Sequence, residues 1–275
     1  MADGGVVTFI GFDSAWADNP KAPGAICSAT IAGDRWLEFH APELTGFDHA
    51  LAFIEARDRA DAPTLIALDQ PTVVPNDAGM RPVEKVVASV ISWMGGGVQP
   101  ANRGRPFFGP QAPVSRFLAK LGAVEDPEAA RAAVRGRHLI EVFPALALAS
   151  LGDGFFGRST GPRYNPGRPR TFQIKDWRAV VEAARQEATR FRCASLVDWL
   201  DNLRNRAVPI KSDQDRLDAT LCLLIAVRWR LAPRSESAML GDLNSGYIVA
   251  PVRETVMARL REKAARRNVP VDAIR

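Results

Sequence analysis

A chain of 275 residues with 47% hydrophobic and 24% charged residues is long enough to bury a full core and has the composition of an ordinary globular protein. No apolar run approaches the roughly 20 residues that a membrane-spanning helix needs, and the start, Met1-Ala2-Asp3-Gly4-Gly5, lacks the basic flank of a secretory signal, so a cytoplasmic protein without membrane association is expected. The net charge of +5 is concentrated in Arg103-Gly104-Arg105, in residues 158–170 and in residues 259–267, a distribution that suits a polyanionic partner or a solvated surface.

The first predicted element is a buried strand over residues 6–12, Val-Val-Thr-Phe-Ile-Gly-Phe, closed by Asp13. Residues 24–31 and 35–39 predict two more strands, joined by a turn at Gly33-Asp34. Residues 47–60 carry apolar positions at helical spacing. Residues 64–69 then form a fourth strand, apolar throughout until Asp69, as a strand covered on both faces should be. Residues 70–135 are broken by eight prolines and by Gly95-Gly96-Gly97; helices are expected at 82–94 and 114–121, with loop elsewhere. A fifth strand at 138–143 contains Glu141 and leads into a short helix at 144–151, with Pro144 suited to its first turn. Residues 153–170, rich in Gly, Pro and Arg, read as a mobile surface segment. One or two helices over 176–206, a helix over 213–231 with Asp213 as N-cap, a late strand at 246–250 and a basic helix over 253–267 complete the chain. The expectation is one α/β domain over residues 1–275, with 70–135 as a large insertion after the fourth strand.

Acidic residues at the ends of core segments are the chemically informative feature. A carboxylate beside a buried strand is costly unless its charge is compensated. Asp13 and Asp69 end strands, Glu141 lies in one, and Asp215 and Asp218 sit three apart at the start of an apolar helix, on one helix face. Several carboxylates that converge suit hard divalent cations, Mg²⁺ or Mn²⁺, held as in two-metal phosphoryl transfer. Each also has an ordinary reading: strand exit for Asp13 and Asp69, an ion pair with an arginine such as Arg137 for Glu141, a helix-dipole contact for Asp215. The three histidines, His40, His49 and His138, lack metal-ligand spacing, which argues against a zinc hydrolase, and Cys27, Cys193 and Cys222, odd in number and without a CxxC, read as reduced core or near-surface thiols. The glycine run at 95–97 is followed by no Lys-Ser/Thr and reads as a flexible loop. Lys175 and Lys211 are candidate phosphate contacts, with Arg103 and Arg105 on a basic rim.

Four blocks resemble a known family: Gly11-Phe12-Asp13-Ser14-Ala15-Trp16, Ala67-Leu68-Asp69-Gln70-Pro71, Glu141-Val142-Phe143-Pro144-Ala145 and Asp215-Arg216-Leu217-Asp218-Ala219. They look like the motif blocks of the domain of unknown function 429, described as predicted RNase H-fold nucleases, and the resemblance spans roughly residues 6 to 250. It implies an RNase H-like mixed five-stranded sheet in the order 3-2-1-4-5, flanked by helices, with a metal site at the ends of the first and fourth strands. It further implies Asp13 as the ligand bridging both metals, Asp69 as the second ligand, Asp218 or Asp215 as the late-helix ligand, and Glu141 as a ligand or an orienting group. Where many members carry glycines after the first Asp, this chain has Ser14-Ala15-Trp16; Trp16 would stack on a base or cover the sheet end. The expected function is metal-dependent hydrolysis of phosphodiester bonds, in nucleic acid or another phosphoester, with Asp13, Asp69, Glu141 and Asp218 as catalytic residues. Two alternatives use the same scaffold: a non-catalytic module that binds nucleic acid or phosphate, and an ATP-dependent phosphotransferase of the sugar kinase and actin type. The sequence leaves oligomeric state open.

Overall fold

The computed structural model describes residues 5–272. Strands β1 (Val6–Asp13), β2 (Gly24–Ala32) and β3 (Arg35–Thr45) form an antiparallel meander, followed by helix α1 (Phe47–Glu55) and strand β4 (Pro63–Asp69). Helices α2 (Pro82–Ile91) and α3 (Pro113–Leu121), the two-residue strand β5 (Val124–Glu125) and helix α4 (Pro127–Ala132) lead to strand β6 (Gly136–Glu141). The second half is mostly helical: α5 (Pro144–Leu151), α6 (Ile174–Arg190), α7 (Ala194–Arg204) and α8 (Lys211–Leu231). A hairpin of β7 (Ser237–Asp242) and β8 (Gly246–Pro251) and helix α9 (Glu254–Ala265) close the described chain. No helix among the described residues is long and apolar enough to cross a membrane.

The main sheet is mixed, with six strands in the order β3-β2-β1-β4-β6-β5; β1 is antiparallel to β2 and parallel to β4, and β4, β6 and β5 run parallel. This corrects the expected five-stranded order 3-2-1-4-5. The additional strand is β5, two residues paired with His138 and Leu139, too short to leave a periodic signal in the sequence. Strand β3 runs six residues past its expected end. It continues through Pro42 because it is an edge strand, and the register slips between His40 and Glu43, where an extra residue is accommodated.

The insertion is more ordered than its prolines suggest. Helix α2 buries Val83, Val86, Val87, Val90 and Ile91 in the larger core, and α3 buries Val114, Phe117 and Leu121 in the smaller one. The two cores lie on opposite faces of the sheet. Phe9, Leu65 and Ala67 point to the larger core, with α5, α6 and α8; Ile10, Phe12, Ile66 and Leu68 point to the smaller, with α1 and α3. That is the strand alternation of period two. Phe12 meets Phe47 and Phe117 edge-on, with ring centroids 5.7 and 5.6 Å away.

Helix α8 is apolar on nearly all sides because it packs on β1, β2 and β4 with one flank and on α6 with another. Its approach to β1 is set by Gly11, where an added Cβ would lie 2.2 Å from the Ala219 carbonyl oxygen and 2.4 Å from the Leu223 nitrogen. Beside it the Cys27 thiol reaches the same Ala219 oxygen at 3.4 Å. Helix α8 begins at Lys211, two residues before its expected start. Asp213 is therefore not the N-cap; it sits in the first turn and accepts a hydrogen bond from the Ile210 amide at 3.0 Å, closing that turn from inside.

Replacing Gly11 by Ala should cost about 3 kcal/mol or more, the upper range for overpacking a core whose neighbour is backbone. Urea unfolding of Gly11→Ala measures this; a loss below about 1 kcal/mol would contradict the close approach.

Candidate functional site

Asp13 and Asp69 stand directly opposite each other across the parallel β1–β4 ladder. Alternation puts both on the face that α8 covers, in phase with Phe9 and Gly11 on one strand and with Leu65 and Ala67 on the other. Because α8 is seated on Gly11, its opening turns lie over these strand ends and bring Asp215 and Asp218 to the same place. All four line one cavity of about 550 Å³, with Lys211, Gln214 and Tyr164. Asp218 is buried, whereas Asp13 and Asp69 are exposed only in part.

The side chains around Asp218 are specific. The Tyr164 hydroxyl donates to its Oδ1 at 2.8 Å and the Gln214 amide to its Oδ2 at 2.6 Å. The Lys211 ammonium is bonded to Asp215 one helical turn on. Among the described residues Asp13 and Asp69 have no comparable donors: charge and burial are what act on their carboxyl groups. Burial first, then the charges of Asp218, Asp69 and Asp215, push the Asp13 carboxyl well above the usual range, with only Lys211 opposing. Asp69 is raised in the same way, by burial, Asp218 and Glu141. Burial pushes Asp218 up to about 6 against its bonds to Tyr164 and Gln214 and the nearby Lys211. Burial of the Lys211 ammonium disfavours its charge, yet Asp215, Asp13 and Asp218 hold its pKa above the usual value.

The other sequence candidates lie elsewhere. Glu141 is opposite Leu68 in the β4–β6 register, one position out of phase with Asp69. Its carboxylate is gripped by the buried Arg81 guanidinium through two hydrogen bonds of 2.9 and 2.5 Å, and it also accepts from the Thr72 amide at 3.0 Å. The competing ion pair considered for Glu141 is thus real, but with Arg81; Arg137 pairs instead with Asp58 at 2.7 Å. Trp16 covers the sheet end, its ring edge-on to Phe108 at 5.2 Å and its indole N–H 3.4 Å from the Asp69 carbonyl oxygen. Lys211 lines the acidic cavity, and Lys175, Arg103 and Arg105 do not. Arg103 pairs with Asp77 at the surface.

Tyr164 and Gln214 were not foreseen. Tyr164 lies in the Gly-, Pro- and Arg-rich segment expected to be mobile, which is tied down instead. The Ser159 and Gly161 amides donate to the Trp93 and Met94 carbonyls at 2.8 and 2.9 Å, and the Gln173 amide to Arg163 at 2.8 Å. No local periodicity announces a residue placed by such long-range contacts. Gln214 was more accessible to reasoning, since it stands one helical turn before Asp218.

Among the described residues no group of three or more His, Cys, Asp or Glu side chains is placed to hold a metal ion. The donor chemistry nevertheless fits a hard divalent cation: oxygen donors only, like charges held together, and two carboxylates with no hydrogen-bond partner.

The fold and cavity define a mixed α/β protein with an acidic site at the ends of neighbouring parallel strands. Residues 11–242 match the family model described as "Protein of unknown function (DUF429)", and the chain belongs to that family. No curated protein and no solved structure gives a significant match.

A carboxyl whose pKa is higher folded than unfolded stabilises the fold at low pH and loses that contribution as pH rises through the folded value. For Asp218 that window runs from the ordinary carboxylate range up to about 6. Asp13→Asn removes one of the repelling charges without breaking a hydrogen bond. In chelator at pH 7.5 it should raise the melting temperature by roughly 2–4 °C, the effect of about 1 kcal/mol in a chain this size. The gain should vanish near pH 4, where the acids are protonated. A variant less stable than wild type at pH 7.5 contradicts the account.

Proposed function

We propose that the chain is a metal-dependent phosphodiesterase acting on nucleic acid, built on an RNase H-like scaffold. The observation that carries this reading is the convergence of Asp13, Asp69 and Asp218 from β1, β4 and α8 on one cavity, whose lining sets the ammonium groups of Lys21 and Lys211 against four carboxylates. The meander of β3, β2 and β1, with β4 parallel to β1, supports the scaffold assignment, since the family resemblance implies that arrangement around its acids.

Asp13, Asp69 and Asp218 would hold Mg²⁺ or Mn²⁺, with Asp215 a further carboxylate of the same cavity; such a cation would supply activation of a water and stabilisation of the departing oxyanion. The chain's own groups have separate roles. Tyr164 and Gln214 fix the rotamer of Asp218, so that its carboxylate is presented to the cavity without a search. Lys211, on the cavity wall, meets a phosphate oxygen of the substrate. Trp16 and Phe108 exclude water behind Asp69. Glu141 acts indirectly: held by Arg81, it orders the Thr72 backbone three residues after Asp69.

One observation favours a second reading, a phosphate- or nucleic-acid-binding module without catalysis. Asp218 and Asp215 are already bonded to Tyr164, Gln214 and Lys211. Nothing comparable favours an ATP-dependent phosphotransferase, because residues 14–23 after Asp13 lack the Gly- and Thr-rich hairpin that holds phosphates.

The readings separate in one assay, cleavage of labelled single-stranded DNA and RNA with Mn²⁺ or Mg²⁺ present. Wild type should cleave, and Asp13→Asn or Asp69→Asn should lose on the order of 100-fold or more while staying folded. Full activity in Asp13→Asn sinks the phosphodiesterase. Absence of cleavage, with an Mn²⁺-dependent thermal shift that Asp69→Asn abolishes, identifies the binding module.

A further inference from the structure

A second cavity of about 420 Å³ lies on the far side of Tyr164 and Gln214, which together with Ala145 also line the acidic cavity. Its walls differ sharply in chemistry. Ile91, Met94 and Leu148 give it an apolar lining, and Gly97, Arg163 and Arg168 line it as well. Neither arginine takes part in an ion pair among the described residues, whereas Arg81, Arg185, Arg228, Arg234 and Arg253 all do. Unpaired guanidinium groups beside an apolar slot match a ligand with a flat apolar part and an attached phosphate.

The cavity walls are held by backbone contacts. Residues 159–161 pair with the carbonyls of Trp93 and Met94, and at Gly161 a Cβ would lie 2.8 Å from the Met94 oxygen, so only glycine permits the approach. At Gly97 an added Cβ meets no atom within 4 Å, which leaves that wall open toward the cavity. Gln214 lines both compartments: its amide nitrogen bonds Asp218, and its buried Oε1, in a residue 9% exposed, has no hydrogen-bond partner among the described residues. A buried acceptor without a donor is the group that an exocyclic amine or ring N–H of a ligand would satisfy.

We propose that this cavity is a nucleotide subsite: it takes the base and phosphate of the nucleotide next to the phosphodiester held in the acidic cavity. The inference rests on the phosphodiesterase reading for what is cleaved, and it names the substrate class as a single strand. A base can enter the slot between residues 91–97 and 159–168 only when it is not paired in a duplex. The base lies on Ile91, Met94 and Leu148, with its polar edge toward Gln214, and Arg163 and Arg168 take the following phosphate.

Binding is measured by calorimetry in chelator, so that no cleavage enters, with thymidine 5′-monophosphate, adenosine 5′-monophosphate and inorganic phosphate as probes. Wild type should bind a nucleoside monophosphate at least tenfold more tightly than inorganic phosphate. The double variant Arg163→Ala/Arg168→Ala should weaken it tenfold or more, and Gly97→Phe should weaken it similarly by filling the slot. Asp13→Asn should bind the mononucleotides as tightly as wild type whatever its activity, so a failure of the cleavage assay and a failure of the subsite give different results. The subsite is overturned if wild type binds no nucleoside monophosphate at millimolar concentration, or no better than inorganic phosphate. It is equally overturned if the folded arginine and Gly97 variants bind like wild type.

Discussion

The seating of helix α8 on strand β1 at Gly11 is the contact on which the rest of the site depends. With no side chain at Gly11, the helix backbone approaches to where a Cβ would clash with Ala219 and Leu223. The helix is thereby fixed in height and in rotation, and its first turns overhang the ends of β1 and β4. Lys211, Gln214, Asp215 and Asp218 reach the cavity from there. A larger residue at 11 would lift the helix and separate its carboxylates from Asp13 and Asp69, although none of these residues touches residue 11 by sequence.

The electrostatics of the two acidic regions then contrast. Glu84 and Glu141 are buried with the Arg81 guanidinium between them, at 2.9 and 2.5 Å, so each carboxylate has a direct cationic partner inside the fold. Such a buried pair is neutral or costly in net stability, and what it secures is geometry. Here it ties the chain beyond Asp69 to β6 and α2. Asp13 and Asp69, at the same end of the sheet, receive no such arginine among the described residues. Carboxylates brought together without a counter-charge raise one another's pKa values, and such clusters belong to functional sites more often than to frameworks. The fold gives the acids it uses as framework an arginine partner and leaves Asp13 and Asp69 bare.

Much of this was legible in the sequence, for reasons that differ by residue. Asp13 and Asp69 stood out because each ends an apolar run in a strand covered on both faces, where an acid has no ordinary place. Asp218 was visible as an acid flanking the apolar stripe of α8. Glu141 looked the same locally, and only its long-range partner Arg81 separates it from the others; the sequence suggested Arg137, which the fold commits to Asp58. Strand β5 and helix α4 are too short for a period to show, and the edge position that lets β3 run through Pro42 is a property of the sheet. Tyr164 was hidden for another reason. Its segment has the composition of a loose surface loop, and it is ordered by backbone bonds to the turn after α2, which no local pattern encodes.

The central claim is that the bare carboxylates of β1 and β4 are the place of a divalent cation. Crystals soaked in Mn²⁺ and measured at the manganese absorption edge test it directly. The account predicts an anomalous peak within ligand distance of Asp13, Asp69 and Asp218. Saturating Mn²⁺ that leaves this position empty, or that binds only at surface carboxylates such as Asp77 or Asp153, would contradict it.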